Sequence, residues 1–408
     1  MRYKRKEGLA WRRLDNYAKL FPLASTKKYK TVFRISAVLK EQIDPEILEK
    51  SVRVALNKFK FFKVRMRKGL FWYYFENNSK NPVVEEENDY PCKSIDLPLN
   101  NDYLFQVTYF DCKINLEIFH CLTDGSSATH FLKEIVYNYI EMKYLKHSST
   151  ALTSERKIQY TSEDIYSKNY DKKIKAKREV KRAYNLKGRL LPPGVVGVTH
   201  EYMSSNKIRE VAKSKGATIT QFLTASLIYA IHKAGVEKDK NKREVRIQVP
   251  VNLKKYFPSY TSSNSFSYID VNVDTDKAGS YDNILEEVKK QFAEKLTEEE
   301  LLKTIAVNLK LSNNWILRCV PLFLKKIAVS HAHKKIRTYN TTTLSNVGRI
   351  GIMSEYKPYI DKFLLLIAPE NVEKIKCTVC AYEDITVFSI TSVIEEKSVE
   401  NTLKEILE

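Results

Sequence analysis

The sequence predicts a mixed α/β fold. Short apolar strand patterns alternate with amphipathic helix patterns along all 408 residues, and no tandem repeat or low-complexity tract interrupts them. Hydrophobic residues make up 43% of the chain and charged residues 29%, which supplies enough apolar side chains for a large core in each of several domains. At about 150 residues per domain, the length predicts two to three domains and excludes a single small module.

In the first part of the chain, capping and periodicity signals define the elements. Asp44 followed by Pro45 is typical of a helix start. The helix that follows has an apolar face formed by Ile47, Leu48, Val52, Leu56 and Phe59. The aromatic run Phe71 to Phe75 indicates a strand, and a second strand pattern spans Lys113 to His120.

A polar and strongly basic stretch, residues 161–194, divides the chain near its middle. We therefore predict an N-terminal subdomain at 1–160 and a C-terminal subdomain at 195–408, joined by this linker or crossover. Thr218 and Gln221 have capping-box spacing ahead of an apolar helix in the second subdomain.

The rest of the second subdomain follows the same alternation. Residues 243–252 alternate between apolar and polar as a half-buried strand does. Ser280 and Thr297 predict two further helix caps, a hairpin turns near Glu383, and a closing helix begins near Ser398.

Charge and composition narrow the class of protein. Sixty-nine Lys and Arg residues against 49 Asp and Glu give a net charge of +20, which fits an anionic cofactor such as coenzyme A but equally a drift toward Lys, Asn, Tyr and Ile. No zinc-finger spacing or RNA-binding motif occurs, so we expect no nucleic acid partner. The charged N-terminus, the short apolar runs and the sparse cysteines predict a cytoplasmic protein without a transmembrane segment.

The strand ending at His120 carries the strongest chemical signal. Alternation places His120 at the end of an apolar face formed by Ile114, Leu116 and Ile118. A histidine buried at a strand end can stay neutral at pH 7 and accept a proton from a hydroxyl, amine or thiol.

Asp124 and Gly125 follow in the loop before the next helix. Asp124 is placed to fix the loop through an ion pair, and Gly125 to leave room for a ligand beside the backbone. The alternative is structural: a core histidine, an ordinary helix cap and a turn glycine. Pattern alone leaves both interpretations open.

The segment His-Cys-Leu-Thr-Asp-Gly at 120–125 resembles the HxxxDG motif of the chloramphenicol-acetyltransferase-like superfamily, which includes condensation domains. Three further blocks resemble bacterial alcohol acetyltransferase-like proteins: Val-Pro-Val-Asn-Leu-Lys-Lys-Tyr-Phe-Pro-Ser at 249–259 with Asn264 downstream, Pro-Leu-Phe-Leu-Lys at 321–325, and Thr-Leu-Ser-Asn-Val-Gly at 343–348. The resemblance therefore covers nearly the whole chain.

This resemblance implies two chloramphenicol-acetyltransferase-like subdomains in a V-shaped pseudo-dimer, with an active-site tunnel between them. His120 would be the base, and Asp124 would pair with a cation across the subdomain junction. That cation aligns best with Lys254, where the family usually has arginine, and Arg246 or Arg349 are the alternatives. Ser345, Asn346 and Asn264 would polarise the thioester carbonyl or line the acceptor site.

The other candidate functional sites have weaker support from the sequence. The pair Cys377 and Cys380 has no second pair, and positions three apart on a strand face opposite ways, which argues against a zinc or redox site. Cys121 beside His120 is adjacent in a strand, so a Cys-His dyad is disfavoured. His331 and His333 fit a solvated helix end. Residues 315–329 fit either core packing or a basic helix in peripheral contact with a membrane.

We therefore predict a monomeric acyl-CoA:alcohol O-acyltransferase that needs no metal or permanently bound cofactor. It would use acyl-CoA, such as acetyl-CoA, as donor and a small-molecule alcohol or amine as acceptor. No acyl-carrier pattern occurs in the sequence, which favours free acyl-CoA. The rivals are a condensation-like enzyme that uses a carrier-protein thioester and a non-catalytic binding protein of the same fold, which Phe119 at the first histidine position and Lys254 support.

Overall fold

The computed structural model describes residues 11–25, 31–145, 163–174, 181–239, 243–312, 314 and 318–408. The strands are β1 (Trp11–Arg13), β2 (Val32–Leu39), β3 (Val64–Lys68), β4 (Tyr73–Asn77), β5 (Val84–Glu86), β6 (Phe105–Phe110), β7 (Lys113–Phe119), β8 (Gly197–Ser204), β9 (Val245–Asn252), β10 (Phe266–Val273), β11 (Thr342–Arg349), β12 (Ile360–Ile367), β13 (Ile375–Tyr382) and β14 (Ile385–Ser392).

The α-helices are α1 (Leu20–Ala24), α2 (Pro45–Lys58), α3 (Gly125–Ile140), α4 (Ile165–Lys168), α5 (Ser205–Ser214), α6 (Ile219–Ala234), α7 (Thr275–Ala278), α8 (Tyr281–Lys295), α9 (Glu298–Ser312), α10 (Leu322–Arg337) and α11 (Ser398–Leu407). The predicted mixed α/β fold is confirmed. None of the helices in the described ranges has the length and apolarity that a bilayer crossing requires.

The helix caps predicted from the sequence occur in the structure, and the predicted aromatic strand is present with a shifted start. The Asp44 side chain accepts hydrogen bonds from the backbone N–H groups of Glu46 and Ile47, and Thr218 and Gln221 form both bonds of a capping box at the start of α6. The aromatic strand is shifted, because β4 starts at Tyr73. The N–H of Gly69 bonds to the carbonyl of Trp72 at 3.0 Å, so Phe71 and Trp72 lie in the turn from β3 to β4.

The first sheet has five strands in the order β12-β2-β7-β6-β5, antiparallel except for the β5–β6 pair. Its apolar face packs on α2 and α3 in one core. Strand β12 belongs to the second half of the chain but completes the edge of this sheet. The predicted division at 1–160, 161–194 and 195–408 therefore does not hold for β12, and otherwise stays a prediction.

The second sheet has six strands in the order β10-β9-β11-β13-β14-β8. Strand β11 runs parallel to β9 and β13, and the other pairs are antiparallel. Helices α6, α8 and α11 bury their apolar faces against it in a separate core. A small third sheet, β1-β4-β3, lies in the first half.

The described parts of the predicted linker pack against the body of the protein. Tyr166 in α4 is fully buried, and its hydroxyl donates to the carbonyl of Phe266 in β10 at 2.5 Å. Ala183, Tyr184 and Leu186 are also buried. This segment therefore holds the first half of the chain to β10.

Candidate active site

His120 directly follows β7, between the two halves of the chain. Its backbone N–H bonds to the carbonyl of Thr31 at 2.8 Å. The imidazole stacks on Phe21 at 4.6 Å between ring centres and touches Phe33 at 4.9 Å and Phe266 at 5.0 Å. Burial among these rings lowers the pKa of His120 below its usual 6.5, so the ring is neutral at pH 7.

A chain of hydrogen bonds sets the tautomer of His120. Its Nδ1 lies 3.1 Å from Oδ1 of Asn264, and Nδ2 of Asn264 donates to Oδ2 of Asp15 at 3.1 Å. Because the ionised carboxylate only accepts hydrogen bonds, it turns the amide so that Oδ1 faces the imidazole. Nδ1 then carries the proton, and Nε2 keeps a free lone pair. The geometry leaves Nε2 able to accept a proton.

Asp15 is the partner that the sequence did not indicate. It is buried, and it accepts further hydrogen bonds from the backbone N–H groups of Ala18 at 2.7 Å and Asn264 at 3.2 Å. Burial raises the pKa of Asp15 to about 6, and the negative charge of Asp164 adds to the rise. Asp15 is 249 residues from Asn264 along the chain, so no local pattern could pair them.

Asp124 caps α3 and reaches into the other half of the chain. Its Oδ1 accepts from the N–H of Ser127 at 3.0 Å. Its Oδ2 accepts from the N–H of Ser265 at 2.9 Å and from the hydroxyl of Ser265 at 2.6 Å. The side chain is buried, and these charge-assisted bonds satisfy both oxygens.

The resemblance implies a cation partner for Asp124, with Lys254 as the best match and Arg246 or Arg349 as alternatives. Within the described residues, no Lys or Arg forms an ion pair with Asp124. Lys254 Nζ donates instead to the carbonyl of Thr261 at 2.6 Å. Arg246 lies beside Glu244, 3.8 Å away, and Arg349 lines the cavity. Ser265 already supplies two donors to Oδ2, so a cation is not needed to offset the buried charge.

The segment from Ser262 to Ser265 holds the loop that follows β7. Thr123 Oγ1 donates to the carbonyl of Ser262 at 2.6 Å, between the contacts of His120 with Asn264 and of Asp124 with Ser265. Lys254 braces the same segment through Thr261. We call residues 262–265 the bridging segment, because the loop bonds to three of its four residues.

The other residues predicted for the site differ in how available their side chains are at the cavity. Ser345 and Asn346 both line the cavity. The amide of Asn346 is engaged elsewhere, donating to Thr220 Oγ1 at 3.0 Å and accepting from the N–H of Gly348 at 2.8 Å. Gly125 also lines the cavity, and a Cβ there would lie 3.7 Å from Val347, an ordinary contact distance.

The remaining sequence candidates lie outside this arrangement. Cys377 and Cys380 are both buried, and burial raises the pKa of Cys380 to about 12, so neither is a ready thiolate. Burial also raises the pKa of Cys121 well above its usual value. His331 bonds to the carbonyl of Ile327 in its own helix, whereas His333, also expected at a solvated helix end, lines the cavity, and burial lowers its pKa to about 4. In the described part of the chain, no three His, Cys, Asp or Glu side chains are grouped to hold a metal ion.

A cavity of about 1780 Å³ opens at His120 and is lined by residues from both halves. Of the predicted helix at 315–329, residues 315–317 lie outside the described residues. The remainder contributes Leu324 and Ala328 to the cavity wall and leaves Phe323 and Ile327 exposed. A volume of this order is large enough for two substrates.

Comparison with known proteins supports the predicted resemblance. The model of the family described as alcohol acetyltransferase matches residues 198–362. This range contains the blocks at 249–259, 321–325 and 343–348 and excludes the segment 120–125. No curated protein matches the sequence.

Solved structures match over nearly the whole chain. TRI101 of Fusarium sporotrichioides, complexed with coenzyme A and T-2, is 11% identical with a TM-score of 0.63, covering 97% of each chain. The starter condensation domain of rhizomide synthetase in complex with C8-CoA is 10% identical with a TM-score of 0.62, covering 98% of this chain and 95% of that one.

The wax ester synthase/diacylglycerol acyltransferase of Marinobacter aquaeolei VT8 is 13% identical with a TM-score of 0.57, covering 97% of this chain and 98% of that one. At these identities the likeness concerns the fold. The predicted resemblance is thus confirmed: residues 198–362 match the alcohol acetyltransferase model, and the whole chain has the fold of these solved acetyltransferase and condensation-domain structures.

Proposed function

We propose that this protein is an acyl-CoA-dependent O-acyltransferase in which His120 is the general base. The observation that carries the proposal is the chain His120–Asn264–Asp15, which leaves Nε2 of a neutral imidazole free beside the cavity. The alcohol acetyltransferase match and the neighbours complexed with coenzyme A or C8-CoA support the reaction class and the donor.

The reaction balances without a covalent enzyme intermediate. Nε2 of His120 takes the acceptor's hydroxyl proton as its oxygen attacks the thioester carbonyl carbon. The resulting tetrahedral oxyanion is stabilised by nearby donors, among which Ser345 is the candidate on the cavity wall. The C–S bond then breaks, and the thiolate of CoA takes the proton back from His120.

The surroundings favour this cycle in two ways. The aromatic rings around His120 disfavour the imidazolium in the resting enzyme, so the base is available at pH 7. During the reaction Asn264 Oδ1 accepts a hydrogen bond from Nδ1–H, and the negative charge of Asp15 lies behind the amide to stabilise the transient imidazolium.

Thiol release tests the proposal. Purified wild type, His120→Ala and His331→Ala would be incubated with acetyl-, butyryl- and longer acyl-CoAs and a panel of alcohols and amines, and free thiol would be followed with a chromogenic reagent. His331 is the matched control, because it lies outside the cavity lining and bonds only within its helix.

We expect acceptor-stimulated release that falls about 100-fold or more in His120→Ala, the low end of a general base's contribution, and is unchanged in His331→Ala. Equal rates in all three proteins would remove His120 from this role. Release that requires a phosphopantetheinylated carrier protein would show that the donor is wrong while leaving the base in place.

A further inference from the structure

The cavity has two arms of opposite character. Around His120 the wall is apolar, formed by Phe21, Leu23, Val32 and Phe33 of the first half with Leu324 and Ala328 of α10. Away from His120 the wall is the polar face of β9 and β10 in the second sheet. We call the first the apolar arm and the second the polar arm.

Strand pairing builds the polar arm. Asp270 is paired with Gln248 across the β9–β10 ladder, and Asn272 with Arg246, so these four side chains alternate with the buried core residues behind them. Gln248 Nε2 lies 3.4 Å from Oδ1 of Asp270. A row of amide, carboxylate and guanidinium groups therefore lines the cavity.

Two buried polar atoms in this arm have no hydrogen-bond partner among the described residues. They are Nε of Arg246, a residue 8% exposed, and Oδ1 of Asn340, a residue 4% exposed. Both residues line the cavity and lie close together, because the N–H of Thr341 bonds to the carbonyl of Arg246 at 2.8 Å. Both atoms are shielded from solvent, so a ligand in the cavity would meet the rest of these two polar side chains.

The charge of the arm selects among polar ligands. Glu244, Asp270, Glu370 and Glu373 place four carboxylates on its wall. Arg337 pairs with Glu370 and Lys376 with Glu373, so these cations are already engaged. Lys295 Nζ donates to the carbonyl of Asp270 at 2.6 Å, and Arg246 lies 3.8 Å from Glu244, so cations lie beside the carboxylates along this wall. A wall of mixed and mutually engaged charge suits a neutral or amino-bearing ligand with several hydroxyl groups.

The rise per residue along β10 gives the distance that such a ligand would have to span. The ring of Phe266, at the start of β10, touches His120. At about 3.3 Å per residue, Asp270 lies about 13 Å and Asn272 about 20 Å farther along the strand. A hydroxyl at Nε2 of His120 and a polar body on Gln248 and Asp270 therefore match a molecule about the size of a disaccharide.

We propose that the polar arm, formed by Arg246, Gln248, Asp270, Asn272 and Asn340, binds a polyhydroxylated acceptor of the sugar or amino-polyol class. The acyl chain of the donor occupies the apolar arm. This inference rests on the proposed function for the transfer itself, but the binding of the acceptor does not depend on catalysis.

Binding is tested without turnover. Saturation-transfer NMR would measure binding of maltose and of a disaccharide amine to His120→Ala, alone and combined with Gln248→Leu or Asp270→Asn. Asp282→Asn, on the exposed surface of α8, is the matched control for Asp270→Asn. Thermal unfolding of each variant verifies that it is folded.

We expect binding that weakens at least tenfold in the Gln248 and Asp270 variants and is unchanged in the Asp282 variant. Absence of polyol binding to the folded protein, or equal binding in all variants, would overturn the inference.

Turnover distinguishes the acceptor from the donor as occupant. In the wild-type background, Gln248→Leu and Asp270→Asn are expected to raise the KM for the polyol at least tenfold, leaving the KM for acyl-CoA and the rate with 1-octanol within twofold. A raised KM for acyl-CoA would place coenzyme A in the polar arm and overturn this inference while the proposed function stands. Loss of all transfer with polyol binding retained would instead overturn the proposed function.

Discussion

The two ends of the loop from His120 to Gly125 are held by the same bridging segment but in opposite ways. His120 uses Nδ1 to bond to Asn264, and its side chain lines the cavity. Asp124 has both carboxylate oxygens engaged, with Ser127 and Ser265, and is buried. One end of the loop is thus built for chemistry and the other for structure.

This difference shows how the contact between the two halves of the chain is linked to the candidate active site. The bridging segment lies about 140 residues beyond the loop, in the second half of the chain. The contact that docks the two halves is therefore also the contact that orients the base. Changes at the Asp124 end are expected to act on stability, and changes at the His120 end on the chemical step.

Removing the Asp124 side chain, at the structural end of the loop, is expected to have the largest effect on the free energy of unfolding. Asp124→Ala removes the cap of α3, worth about 1 kcal/mol, and leaves the N–H and hydroxyl of Ser265 buried without their acceptor, at about 1–3 kcal/mol for an unsatisfied donor. We expect a loss of about 2–4 kcal/mol in the free energy of unfolding, measured by urea denaturation.

Ser265→Ala is the graded control, because it removes only the hydroxyl bond to Asp124. It is expected to cost about 1 kcal/mol. An Asp124→Ala protein as stable as wild type would show that Asp124 does not hold the two halves together.

Removing the hydrogen-bond partner of His120, at the other end of the loop, is expected to lower the rate of acyl transfer with little loss of folded protein. Asn264→Leu removes the acceptor of the Nδ1 proton, so both imidazole tautomers become available. We expect kcat/KM to fall about 10- to 100-fold, as when the outer partners of metal-bound histidines are removed. Steady-state kinetics beside thermal unfolding would separate the two effects.

The control for Asn264→Leu is Asn16→Leu. Asn16 is also a buried asparagine bonded to an aspartate, Asp164, but it makes no hydrogen bond to His120. The same loss of rate in both variants would mean that Asn264 acts through general packing.

The ionisation of Asp15 is expected to make the stability of the protein depend on pH. Asp15 loses its proton near pH 6 in the folded protein, whereas an unfolded aspartate does so near pH 3.9. Its raised pKa therefore contributes stability that is present below about pH 4 and is lost as the pH rises through about 6. Arg12, Lys19 and Asp164 are charged groups that interact with it.

Asp15→Asn should remove this pH dependence of stability, measured by denaturant melts from pH 4 to 8. Its kcat/KM should be lower than wild type above pH 7, and the fall in rate around pH 6 should disappear, leaving the protonation of His120 at a pH below 6.5. Profiles of identical shape in both proteins would contradict the link between Asp15 and the base.

Gly125, the last residue of the loop, has the smallest expected effect. A Cβ at Gly125 meets only Val347 at ordinary contact distance, so Gly125→Ala should leave stability within about 0.5 kcal/mol. If a substrate passes beside this backbone, the KM for that substrate should rise several-fold. An unchanged KM for every donor and acceptor would assign Gly125 to the turn alone.

Local patterns were enough to predict most of the elements and the place of His120, the proposed base, at the end of a strand. Helix caps at Asp44 and Thr218 depend on neighbours three residues away, and strand alternation placed His120 at the end of an apolar face. Each of these signals spans a few residues, so the sequence displays it directly.

Long-range partners could not be predicted in the same way. Asp15 and Ser265 lie 249 and 141 residues from the groups they bind, and β12 leaves its own half to join the first sheet. The resemblance implies a cation as the partner of Asp124, but three N–H and O–H donors bond to its carboxylate here. Ser265, which supplies two of them, is not part of the motifs that carry the resemblance.

A double-mutant cycle between His120→Ala and Asn264→Leu tests the central claim, that the bridging segment acts on catalysis through His120. The measurement is kcat/KM for acyl transfer in wild type, both single variants and the double variant. If Asn264 orients the base, Asn264→Leu lowers the rate about 10- to 100-fold in wild type and changes it less than about threefold once His120 is absent. An equal loss in both backgrounds would contradict the account.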